Sequence, residues 1–114
     1  MSRSNLVLIA ALLGGLLSIG ARADSVYVKY RGLVDLEPFN CSWISRSSFI
    51  NRLCYDQKEQ YVVVLLKSTY YHYCEVPDSL VSEWLSANSM GRFYLSFVKG
   101  RYDCRVNYMP TYEP

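Results

Sequence analysis

Tyr61-Val62-Val63-Val64-Leu65-Leu66-Lys67-Ser68-Thr69-Tyr70-Tyr71-His72-Tyr73-Cys74 is the stretch from which the rest of the chain is placed. Its first six residues form an unbroken β-branched and apolar run, which reads as a central strand covered on both faces. Lys67-Ser68 then supplies a tight turn. The second half alternates, with Thr69, Tyr71 and Tyr73 on one face and Tyr70, His72 and Cys74 on the other.

Upstream, the polar stretch Asp56-Gln57-Lys58-Glu59-Gln60 reads as a hairpin loop, and residues 47–55 as the strand before it. In that strand Phe49, Leu53 and Tyr55 share one face, with Ile50 and Cys54 on the other. Three consecutive antiparallel strands are the simplest arrangement. Further upstream, Val26-Tyr27-Val28-Lys29-Tyr30 alternates with strand period and is then broken at Arg31-Gly32 and at Pro38, giving a short strand followed by an irregular segment.

Downstream, Pro77 closes the last strand, Asp78 or Ser79 can cap a helix, and Leu80, Val81, Trp84 and Leu85 recur at helical spacing over residues 79–87. Asn88-Ser89 breaks that helix and caps a second, whose apolar face is Phe93, Tyr94, Phe97 and Val98. Gly100 ends it. Beyond Cys104 the chain contains Pro110 and Pro114 and is expected to fray. The fold class expected is α+β: a small antiparallel meander of three to four strands, with two short C-terminal helices packed on one face and disulfides as staples.

The first 23 residues read as a leader that is removed. Arg3 precedes an apolar run of about 14 residues, short of the roughly 20 that cross a bilayer, and Ala21-Arg22-Ala23 forms an A-x-A cleavage site. The sequence has 12 Lys and Arg against 10 Asp and Glu. Arg3 and Arg22 leave with the leader, so ten basic residues face ten acidic ones in the mature chain. A zero balance gives no whole-chain support to nucleic-acid binding, which rests on offsetting phosphates. The 11 Tyr, 2 Trp and 4 Phe all lie in the mature part, which suits either a tightly packed small core or an adhesive surface.

Cys41, Cys54, Cys74 and Cys104 are an even set in a small exported chain, with no C-x-x-C pair and His72 as the sole histidine. They read as two structural disulfides, with no metal site and no cofactor.

The order of short motifs then becomes informative. Ser47-Ser48-Phe49-Ile50, Cys54-Tyr55-Asp56, Tyr71-His72-Tyr73 ahead of Val76-Pro77, Ser89-Met90-Gly91-Arg92-Phe93-Tyr94 and Lys99-Gly100-Arg101-Tyr102 together resemble the KTSC domain. That family is named for the C-terminal extension of some lysyl-tRNA synthetases and also includes stand-alone bacterial domains. The resemblance covers about residues 42–105, which divides the chain into a leader (1–23), an N-terminal strand and irregular segment (24–41), the KTSC-like domain (42–105) and a tail (106–114). The cysteines depart from the pattern of cytosolic members, which implies an exported branch that gained disulfides. Cys41 and Cys104 lie at the margins of the resemblance, so Cys41 with Cys104, closing a loop of about 64 residues worth roughly 4 kcal/mol, is the preferred pairing. It leaves Cys54 with Cys74, on strands one and three of the meander and about 10 Å apart unless the strands converge. Cys41 with Cys74 and Cys54 with Cys104 is the alternative.

For function, the Tyr71/Tyr73 stripe reads first as packing and second as a stacking platform. Arg92, Lys99, Arg101 and Arg105, against Asp103, are the only basic concentration. They read as a solvated helix end or, alternatively, an anion patch. No paired carboxylates or activated nucleophile stand out, so a small hydrolase is the least supported reading. The leading expectation is a non-catalytic exported module that binds an unidentified protein or envelope ligand and does not stay in the membrane. The alternative is an RNA- or nucleotide-binding domain using Tyr71, Tyr73, Arg92, Lys99 and Arg101, which the resemblance implies because RNA binding has been suggested for the family.

Overall fold

The structure, a computed structural model, describes residues 24–112. The leader expected over residues 1–23 lies outside them. Six strands form one sheet: β1 (Ser25–Val28), β2 (Gly32–Asp35), β3 (Asn40–Trp43), β4 (Ile50–Asp56), β5 (Tyr61–Leu66) and β6 (Thr69–Tyr73). Their order across the sheet is β2-β1-β6-β5-β4-β3. Neighbours are antiparallel except β1 and β6, which run parallel and register Val28 against Tyr70. Lys29 N donates to Tyr70 O at 2.9 Å beside that point.

This corrects the expected small antiparallel meander. Strands β4, β5 and β6 do pair consecutively and antiparallel, but they are the middle of a six-stranded mixed sheet curled into a half-barrel. The segment expected to give one strand and an irregular stretch gives three strands of four residues each. Strands this short carry too little periodicity to be read singly. Their pairing also depends on a contact between residues 28 and 70, which leaves no local signal.

The curl follows from connectivity. The two sheet edges, β2 and β3, are consecutive in the chain and joined only by residues 36–39. Six flat strands would hold those edges about 24 Å apart at about 4.8 Å per strand. From Asp35 to Asn40 the chain reaches at most about 18 Å. The sheet must therefore bend to let the chain pass from one edge to the other.

Strand β5 has a core on each face. Val62 and Val64 pack with Ile50, Leu53 and Tyr55 beneath Val81, Trp84, Met90, Tyr94 and Val98. Tyr61 and Val63 pack with Val28, Val34, Leu36, Cys54 and Cys74. A register shift between Ile50 and Arg52 puts Ile50 on the same face as Leu53 and Tyr55, whereas simple alternation placed it opposite them.

The cover of the first face is α1 (Asp78–Ser86) and α2 (Met90–Phe93), the latter running on as a π-helical turn over Tyr94–Val98. The N-cap of α1 is Pro77, without a side-chain cap, so neither Asp78 nor Ser79 caps it. Ser89 caps α2, its hydroxyl accepting from Arg92 N at 3.2 Å.

The disulfides are Cys41–Cys54 and Cys74–Cys104, in place of the preferred pairing and of its alternative. The sequence pattern puts Cys41 in an irregular margin. It sits instead in β3 directly opposite Cys54, with Cα atoms 4.0 Å apart. Up to Tyr112 the tail is also held rather than frayed, its last two residues lying outside those described: Asn107 N donates to Asp103 O, Tyr108 N to a Glu75 carboxylate oxygen at 2.7 Å, and Tyr112 Oη to Asp56 Oδ2 at 2.7 Å.

Candidate functional site

A cleft of about 530 Å³ opens where the β1–β2 turn, the end of β6 and the segment after the π-helical turn meet. Tyr30 contributes one wall. It follows the β1–β6 contact, has φ +71°, and leads into Gly32 at φ +107°, so the turn projects its ring outward, 81% exposed. Strand period then brings Tyr71 and Tyr73 to the cleft from β6. The third side is Gly100 to Arg105. This segment is fixed where Cys74 N donates to Tyr102 O at 2.8 Å and where Cys104 is bonded to Cys74.

The side chains differ in their freedom. Tyr73 Oη shares a hydrogen bond with Tyr94 Oη, and the two rings meet edge to face at 6.0 Å. Burial pushes both phenols up, so they stay protonated well beyond neutral pH. Tyr73 is thus committed to packing. Tyr71 is half-buried, and Lys29 Nζ lies 5.6 Å from its ring centroid and 5.3 Å from that of Tyr30.

Arg105 grips Asp103 through Nη2 at 2.7 Å and through Nε, and holds its carboxyl at about 2. The ion pairs among the described residues are that one and Arg52–Asp24 at 3.2 Å, so Lys29 and Arg101 have no carboxylate partner there. His72 contacts Tyr61 Oη through Nδ1 at 2.8 Å. Burial first, and then the charge of Arg31, lower its pKa and keep the imidazole neutral at pH 7. Among the described residues no three His, Cys, Asp or Glu side chains are grouped to hold a metal ion.

Of the residues singled out in the sequence, Tyr71, Tyr73 and Arg101 meet at this cleft and Arg105 joins them. Arg92 lines a different, shallower groove of about 370 Å³ with Arg46, Ser47 and Leu95. Lys99 is exposed and lines neither. The basic run is therefore not one patch. Tyr30 and Lys29 were missed, because only the parallel β1–β6 contact delivers them.

The second groove explains the short motifs. Ser47 Oγ accepts from Ile50 N at 3.1 Å, turning Phe49 toward the helices. A Cβ on Gly91 would stand 2.6 Å from Phe49 Cε1, so a bare α-carbon is what lets that ring dock. Trp84 Nε1 donates to Met90 O at 3.2 Å, and the Arg46 guanidinium donates to Ala87 O at 2.8 Å and to Leu85 O at the end of α1. These residues fasten the helical layer to the sheet.

The model of the KTSC domain matches residues 46–102. The chain belongs to the KTSC family. Among curated proteins none matches the sequence. The crystal structure of a KTSC domain protein from Yersinia pestis is similar in fold, with a TM-score of 0.53 and 27% identity over 57% of this chain and 92% of that one. The KTSC match thus holds β4 to β6 and the helices. Strands β1 to β3 and the tail from Asp103 are flanks outside it. No helix among the described residues is long and apolar enough to cross a membrane.

Proposed function

We propose that the mature chain is an exported, non-catalytic KTSC-type binding module that takes its ligand in the cleft bounded by Tyr30, Tyr71 and Arg101. The observation that carries this reading is the coincidence, in one concavity, of the exposed Tyr30 ring and the half-buried Tyr71 ring with Arg101, which lacks a carboxylate partner among the described residues, and with Lys29 beside both rings. Export is supported by the A-x-A leader in the sequence and by two disulfides that fasten both flanks. A nucleic-acid role has less support, because Arg92 and Lys99 lie away from the tyrosines.

The test is an NMR titration of the mature, oxidised protein with fractionated envelope extract. Amide shifts are expected to gather at residues 29–31, 71–73 and 100–105. Shifts confined to the Arg46–Arg92 groove, or none with any fraction, would overturn the assignment. Mass spectrometry of the exported protein is expected to show Asp24 as its first residue, and an intact residue 1 would remove the export reading.

A further inference from the structure

The geometry points to a ring-bearing anion as the ligand of the cleft: a flat ring face laid on Tyr30 and Tyr71, joined to a phosphate or carboxylate that meets Lys29 and Arg101. The inference rests on the cleft being the binding site and adds the chemical class of what enters it.

Charge sets the sign of the ligand. The mature chain is neutral as a whole, yet Arg101 and Arg105 line the cleft against Asp103 alone, and Lys29, outside the lining, stands beside the Tyr30 and Tyr71 rings. Arg105 and Asp103 cancel, since the guanidinium holds both carboxylate oxygens and Arg105 N adds a fourth hydrogen bond at 2.8 Å. What remains is the charge of Arg101 in the lining, that of Lys29 beside the two tyrosine rings, and no free carboxylate among the lining residues. A cationic ligand would meet only repulsion, whereas an anion meets two cations without displacing a protein partner.

The rings set the rest of the chemistry. Tyr73 is tied to Tyr94, so the platforms left are Tyr30 and Tyr71. Tyr30 is a bulky residue held in the left-handed region at φ +71° with its ring almost fully in solvent. Leaving a large aromatic there costs both backbone strain and exposed apolar area, and residues kept in such conformations concentrate where a ligand is clamped. Lys29 lies against both rings, so an anion drawn to its ammonium arrives with any attached ring beside the tyrosine faces. A volume of about 530 Å³ accommodates one or two rings with an acidic group.

Such a ligand is a nucleotide or an acidic sugar, and the experiment separates them. The mature, oxidised protein is titrated, with NMR readout, against uridine monophosphate and glucuronic acid, with uridine, methyl glucoside and inorganic phosphate as the stripped counterparts. At least one ring-bearing anion is expected to bind about tenfold or more tightly than both its neutral ring and inorganic phosphate, with shifts at Lys29, Tyr30, Tyr71 and Arg101. The arm that does so names the source. Arg101→Gln, at an exposed position, is expected to reduce that advantage to about threefold or less, and Tyr30→Leu to weaken ring-bearing probes while leaving phosphate unchanged. Arg92→Gln, in the other groove, is expected to change nothing. Equal binding of neutral and anionic rings at the cleft would overturn the anion inference and leave the cleft standing as the site. Binding of phosphate alone, or no binding of any probe at millimolar concentration, would overturn it too. Shifts confined to the Arg92 groove would remove both.

Discussion

On the face of the sheet that carries Val62 and Val64, the cover is α1, α2 and the π-helical turn, all within the residues that match the KTSC domain. On the opposite face, which carries Tyr61 and Val63, the cover is assembled from the flanks: Val28, Val34, Leu36 and Phe39 from before the match, and Tyr112 from after it. The helical layer needs no disulfide. The flank layer has two, and each joins one cysteine inside the match, Cys54 or Cys74, to one outside it, Cys41 or Cys104. The difference has a physical cause. Strand β5 is apolar on both faces and exposes a core wherever it is left bare. Four-residue strands and a short tail cannot build an independent core, so they are stapled to the one already present.

The strongest way to break the comparison is to attack the shared sheet through the helical layer. Trp84 is fully buried, stacks on Phe93 and Tyr94, and donates to Met90 O. Trp84→Ala is expected to cost about 3–5 kcal/mol, much of the stability of a domain this size. Chemical denaturation should show both layers lost in one transition, and survival of the flank layer alone would mean that the two faces are independent.

Removing a staple is expected to separate the layers instead. In the chain-entropy model the loop closed by Cys74–Cys104, with a sequence separation of 30, is worth about 3–4 kcal/mol. In a Cys74→Ala, Cys104→Ala double variant, hydrogen exchange should accelerate over residues 100–112 while Val62 and Val64 stay protected. Uniform acceleration would show that the tail contributes to the whole core.

Tyr112→Phe sharpens the comparison at a single hydrogen bond. It leaves buried Asp56 without its tyrosine donor, and a loss of about 1–2 kcal/mol is expected from equilibrium unfolding. Tyr108→Phe, exposed on the same tail, should change stability by less than about 0.5 kcal/mol. Equal effects would mean that the Asp56 contact contributes nothing.

The same division governs what the sequence made legible. The run from Tyr61 and the alternation from Thr69 have their period in adjacent residues, so the middle of the sheet, the opposed faces of Tyr71 and His72, and both helices could be read directly. Their motifs also carried the family resemblance. The flanks had no comparable period, and β1 joins the sheet through a single registered pair 42 residues apart in the chain. Missing β3 then misplaced Cys41 and with it the disulfide pairing. At the cleft, Tyr71, Tyr73 and Arg101 were recoverable from the sequence, but Tyr30, and Lys29 beside its ring, come from the flank. Arg92 was grouped with Arg101 by proximity in the chain, although the helical turns between them lead to different cavities.

The smallest expected effect uses acid to probe the flank layer, because His72 is the sole histidine and belongs to that face. Its neighbours are Tyr61 at Nδ1, the positive charge of Arg31, and Asp103. Burial, then Arg31, lower its pKa in the folded state, and Asp103 opposes them only in part. The unfolded chain therefore binds a proton first as pH falls through the ordinary histidine range, and stability decreases from pH 7 toward pH 5. Asp103, held at about 2 by Arg105, acts in a separate window: its contribution persists above the ordinary carboxylate range and is lost only at lower pH. Chemical denaturation at pH 7 and pH 5 should thus show a modest loss in the wild type and a smaller one in His72→Gln. Hydrogen exchange at pH 5 should quicken first over residues 24–36 and 104–112. An undiminished pH dependence in His72→Gln, or quickening that starts in α1, would show that the acid response does not arise in the flank layer.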